Sequence, residues 1–135
     1  MGCKVDARLT LLFIDRDPSI AGAVVDALAA TMGLRVISAA SFDLAENLLD
    51  KGQLDILVAD IRVPGTGTGK EFIARFAERH PLAGIVLVSA NPVLYTLFYP
   101  AQSVCLEKPY DADQLAQAIM ESRHRVPTTK PPRAH

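Results

Sequence analysis

Five short apolar runs divide this chain, and between them apolar residues recur at helical spacing. Leu9–Ile14, Leu34–Ala39, Leu54–Ala59, Gly84–Val88 and Ser103–Leu106 read as strands. Their hydrophobicity is nearly continuous rather than alternating, as two-sided burial requires. Asp17-Pro18-Ser19 reads as a helix start, with Asp at the N-cap and Pro at the first helical position. Ile20, Val24, Leu28 and Met32 continue that helix and Gly33 ends it. Ser41 caps a second helix carrying Leu44, Leu48 and Leu49 to Gly52. A third runs through Phe72, Ile73 and Phe76 and stops at His80-Pro81. Asp111 caps a last helix with Leu115, Ala118, Ile119 and Ser122. Asn91–Tyr99, apolar and aromatic with Pro92 early and Pro100 after it, remains open between helix and loop. Strand alternating with helix predicts an α/β domain, a parallel sheet covered on both faces.

The bulk numbers narrow the function classes. A length of 135 residues, half of them hydrophobic, fits one domain with an independent core. A net charge of -1 argues against nucleic acid and anionic membranes as partners, since both need a basic excess. The first apolar run is far shorter than a membrane span. Cys3 and Cys105 form neither a disulfide framework nor a zinc pattern. The expectation is a cytoplasmic domain over residues 1–125, followed by a disordered tail or linker over 126–135, rich in Pro, Thr and Lys. His80, His124 and His135 lack ligand spacing and read as surface residues. Cys105 reads as a small buried hydrophobe.

Chemistry concentrates at the ends of the strands. Asp15 follows the first, Asp60 the third, Ser89 the fourth and Lys108 the fifth. Ligands of open parallel sheets bind beyond the carboxyl ends of the strands. A carboxylate nucleophile, a hydroxyl donor and a lysine on one such edge suit phosphoryl transfer. A carboxylate that ends a buried strand and opens into Ile61-Arg62-Val63-Pro64-Gly65 rarely serves packing. Asp17 reads as a helix N-cap before it reads as a pocket residue.

With these residues in view the chain resembles a known family, the receiver domain of bacterial two-component response regulators. The resemblance runs from about Leu9 to Arg123. It rests on Phe-Ile-Asp15-Arg-Asp17-Pro-Ser-Ile, Asp60-Ile-Arg-Val-Pro64-Gly65, Val-Ser89-Ala90 and Lys108-Pro109-Tyr110, four motifs in order at successive strand ends. It implies a doubly wound, flavodoxin-like sheet of order 2-1-3-4-5 flanked by five helices. It also implies a phospho-acceptor at Asp60, a sensing hydroxyl at Ser89 and an ion-pair partner at Lys108. Mg2+ would sit on Asp15, Asp60 and the Arg62 backbone carbonyl. The domain would be a signalling module rather than an enzyme. Its partners would be a histidine kinase or phosphotransfer protein and an unidentified downstream protein; a homodimer is allowed.

Three departures from the family pattern matter. The family usually carries two adjacent acidic residues after the first strand, and here the second position is Arg16. At about 4 Å and an effective dielectric near 20, each unit-charge interaction is on the order of 4 kcal/mol before screening. Arginine cannot titrate that charge away, and Mg2+ wants hard oxygen ligands, so Mg2+ is expected to bind weakly or not at all. Cys105 occupies the position of the family's switch aromatic. The stretch from Ser89 to Lys108 is short, which predicts an abbreviated or irregular fourth helix. The resemblance therefore divides into two functions. In one, Asp60 accepts phosphate and the domain relays a signal. In the other, a degenerate receiver uses Arg16 as a fixed cation substitute beside Asp60. A third reading, a nucleotide hydrolase built on Pro64-Gly65-Thr66-Gly67-Thr68-Gly69-Lys70-Glu71, fails on spacing. A P-loop needs Gly where Pro64 stands and Ser or Thr where Glu71 stands.

Overall fold

The computed structural model describes residues 8–15, 18–61, 69–89, 100 and 102–125. Five strands are seen: β1 (Thr10–Ile14), β2 (Arg35–Ala39), β3 (Ile56–Asp60), β4 (Gly84–Ser89) and β5 (Val104–Glu107). Among the described residues four helices connect or follow them: α1 (Pro18–Met32), α2 (Phe42–Glu46), α3 (Gly69–Arg79) and α4 (Ala112–His124). The strands form one sheet in the order β2-β1-β3-β4-β5, and every pair is parallel. This is the doubly wound, flavodoxin-like arrangement expected.

Sheet order explains the hydrophobic pattern. β1, β3 and β4 lie inside the sheet and are buried along their whole length. The edge strands β2 and β5 are buried at only one residue each. Neighbouring residues on a strand point to opposite faces, so a central strand is apolar along most of its length, with polar Thr10, Asp60 and Ser89 only at strand ends. On one face Leu12, Ile14, Leu57, Ala59, Ile85 and Leu87 meet Phe42, Ala45 and Leu49, and Phe72, Ile73 and Phe76 of α3. On the other, Leu11, Phe13, Ile56, Val58, Val86 and Val88 meet Val25, Leu28 and Ala29 of α1 and Leu115, Ala118 and Ile119 of α4. Each fully buried Val, Leu, Ile or Phe side chain among them contributes about 1.5–3 kcal/mol on burial.

The amino edge is tied by Asp55, just before β3. Its carboxylate accepts from the Thr10 amide (2.8 Å) and from Gln53 Nε2 (3.0 Å), and its carbonyl accepts from the Gly84 amide (3.0 Å). His80 adds a second tie. Its Nδ1 accepts from the Leu54 amide (3.4 Å) and its Nε2 lies 2.9 Å from the Leu49 carbonyl, so Nε2 carries the proton. His80 is therefore half-buried and bonded through both ring nitrogens, not a surface residue as its spacing implied. His124 is exposed.

Two expectations change at α2 and β5. Ser41 does cap α2, accepting from the Leu44 amide at 3.1 Å. The helix ends at Glu46, however, and the chain continues to Asp50 in turns. Leu44 is 56 % exposed, while Phe42, Ala45 and Leu49 face the core. Of the three expected leucines only Leu44 leaves the core: Leu49 is buried and Leu48 packs against the same cluster, joined by Phe42, which packs tilted against Phe72 at 5.4 Å between ring centroids. Cys105 lies on an edge strand and is only half-buried, not buried as expected. Asp111 caps α4 in a reciprocal capping box with Gln114, and the four residues expected on the inner face of α4 are buried. The Asn91–Tyr99 stretch and the tail lie outside the described residues.

Candidate functional site

The sheet order brings four chemical groups to one edge. Asp15 follows β1, Asp60 ends β3, Ser89 ends β4 and Lys108 follows β5, and these strands are consecutive neighbours in the sheet. Backbone bonds hold the ends in register. The Asp15 amide donates to the Ala39 carbonyl (3.1 Å), Ile61 to Val88 (3.2 Å) and Lys108 to Ser89 (2.9 Å). The last of these sets the lysine beside the end of β4. The Lys108–Pro109 peptide bond is cis.

Asp15, Asp60 and Ser89 are buried at 6 %, 8 % and 2 % exposure. A buried carboxylate has to be paired or solvated by donors. Lys108 Nζ donates to Asp60 Oδ2 at 2.6 Å, a charge-assisted contact between a largely buried carboxylate and a lysine whose side chain is still 36 % exposed. The arrangement holds the acceptor oxygen next to a cation that can also meet incoming solvent-side anions. Tyr110, two residues beyond Lys108, rests its ring against the core formed with α1 and α4. Burial pushes its hydroxyl up to about 12, and the charges of Asp15 and Asp60 push the same way. It therefore stays protonated, a donor, at any physiological pH. In sequence Tyr110 counts only as the last residue of the Lys108-Pro109-Tyr110 motif, with no role of its own; only its place relative to the two carboxylates reveals more.

Arg16, Asp17 and Arg62 lie outside the described residues. Among the described residues no group of three or more His, Cys, Asp or Glu side chains could hold a metal ion. Two carboxylates, one of them already on an ammonium, do not by themselves make an octahedral Mg2+ site. Gly69, in the stretch that imitates a phosphate-binding loop, has a packing reason: a Cβ there would stand 2.5 Å from the Phe42 ring.

The family model for the response regulator receiver domain matches residues 11–120. The chain belongs to the response regulator receiver family. Receiver domains generally bind Mg2+ in the acidic pocket, interact with histidine kinases or phosphotransfer proteins and act as signalling domains. No protein of curated function matches this receiver domain in sequence. Among solved structures it is similar to a response regulator receiver protein from Sinorhizobium medicae WSM419. The two are 24 % identical with a TM-score of 0.73, over 87 % of this chain and 96 % of that one. The chemotaxis response regulator CheY4 of Vibrio cholerae is 21 % identical with a TM-score of 0.73, over 86 % and 99 %. A response regulator from Burkholderia pseudomallei, solved with a phosphorylated aspartic acid, a calcium ion and citrate, is 22 % identical with a TM-score of 0.69, over 82 % and 66 %. Among the described residues of this receiver domain, no helix is long and apolar enough to cross a membrane.

Proposed function

We propose that this receiver accepts a phosphoryl group on Asp60 and passes the signal on by protein–protein contact in the cytoplasm. The observation that carries this reading is the 2.6 Å contact from Lys108 Nζ to Asp60 Oδ2 at the carboxyl edge of the sheet. An Asp60 oxygen attacks phosphorus of a phosphohistidine. The P–N bond breaks, its electron pair stays on the ring nitrogen, and that nitrogen takes up a proton. Lys108 and Ser89 then hold the phosphoryl oxygens. A phosphorylated aspartate in the Burkholderia pseudomallei relative is consistent with this chemistry. The partners on this reading are a histidine kinase or phosphotransfer protein upstream and a second protein downstream, with residues 1–125 as receiver and 126–135 as tail or linker.

Arg16 supports a second reading. An arginine where the family places a carboxylate moves the local charge by two units, weakens Mg2+ and slows phosphorylation; at the limit the domain is a constitutive interaction module. Incubation with acetyl phosphate, followed by intact mass, tests the pair. Slow, partial phosphorylation that Asp60→Asn abolishes supports the first reading. No phosphorylation over hours supports the second.

A further inference from the structure

The Tyr110 hydroxyl oxygen is buried and has no hydrogen-bond partner among the described residues. A buried hydroxyl in that condition calls for a reason, since most such groups are paired. Its position supplies one. The chain reaches Tyr110 directly from Lys108, whose ammonium touches Asp60, and the ring is held by the α1 and α4 side of the core rather than left to swing. The carboxylates whose charge it feels are Asp15 and Asp60. Both are acceptors only when ionised, so an anion bound between them would meet repulsion from Asp15 and would need donors.

We propose that Tyr110 is a further binding residue of the pocket, its phenol O–H donating to a phosphoryl-type oxyanion carried by Asp60, directly or through one water. This rests on the phospho-acceptor reading. Lys108 brings a charge from the end of β5 and Ser89 a hydroxyl from the end of β4; Tyr110 brings a neutral donor from the α1 side, where Asp15 stands. A neutral donor serves there because it adds no charge that would pair with Asp15 and close the pocket.

The test uses beryllofluoride, an analogue of the phosphoryl group, on the full chain with millimolar Mg2+. Fluorine NMR of the wild type should show bound signals that Asp60→Asn lacks. Tyr110→Phe, which keeps the ring and its packing, should move one bound signal and weaken beryllofluoride binding roughly tenfold, the usual scale for a hydrogen bond to a charged group. Lost packing alone would not shift one fluorine selectively. As a check that needs no variant at this position, wild type labelled at tyrosine Cζ should show its Tyr110 resonance move on beryllofluoride addition. Bound signals and affinity unchanged in Tyr110→Phe, or a stationary Tyr110 resonance, would overturn the proposal. Absence of any bound signal in wild type would instead overturn the phospho-acceptor reading, and this proposal with it.

Discussion

Asp60, Lys108 and Tyr110 show how much one residue's meaning depends on its neighbours. A carboxylate at a strand end is readable from sequence, because a charge rarely terminates an apolar run without a task. That Lys108 lies on Asp60 at 2.6 Å follows from β5 pairing with β4 and β4 with β3, a long-range fact that no local pattern contains. Tyr110 offers a measurable consequence. Its pKa is raised from an ordinary 10.0 to about 12, first by burial and then by Asp15 and Asp60. The native state therefore binds this proton more tightly than the unfolded chain does. The resulting stability is fully present below pH 10 and is lost as pH rises toward 12. Urea unfolding of wild type and Tyr110→Phe across that range should show a steeper alkaline loss in the wild type. Parallel curves would mean that the hydroxyl is not held as described. At Cys105 burial raises the thiol pKa and Arg125 opposes this, so alkylation should be slow near neutral pH and accelerate as pH rises.

The elements were legible where one force set them and less so where two competed. The three central strands announce themselves because both faces are covered and their interior positions are apolar. α4 is legible because its capping box and its inner stripe agree. α2 is less so, because Leu44 extends the helical stripe in sequence but is exposed, Phe42 takes the core position, and the helix stops after Glu46, so that Leu49 reaches the core from the turns that follow. Gly69 belongs to the same event. Its lack of a Cβ lets α3 start against the Phe42 ring, which is 3 % exposed and packed tilted against Phe72, so the ring has little room to yield. Gly69→Ala should cost about 1–3 kcal/mol, the range for overpacking a tight core. Thermal melts should show most of that cost relieved in a Phe42→Leu background. If Gly69→Ala is neutral or stabilising, helix propensity outweighs the contact and the close packing has been overstated.

At the scale of the whole molecule, sheet order turns four scattered sequence positions into one edge, and that edge is where charge balance decides function. Arg16, the strongest departure from the family pattern, is legible only in sequence, since it lies outside the described residues. Its consequence can still be measured. Millimolar Mg2+ should stabilise the wild type little, whereas Arg16→Asp should gain a clear Tm increase, because a ligand bound only by the native state raises its stability. Without Mg2+, Arg16→Asp should melt lower than wild type, as it adds a carboxylate to an acidic pocket. Equal stabilisation of both proteins by Mg2+ would place Arg16 away from the pocket. The central claim, that Asp60 is the residue that carries the phosphoryl group, is tested most directly by locating it. After prolonged acetyl phosphate treatment, borohydride reduction converts an acyl-phosphate aspartate to homoserine, and peptide mass spectrometry then reads its position. Homoserine is expected at position 60 alone, in a minority of molecules. Homoserine at position 15 or elsewhere, or none after exhaustive treatment, would contradict it.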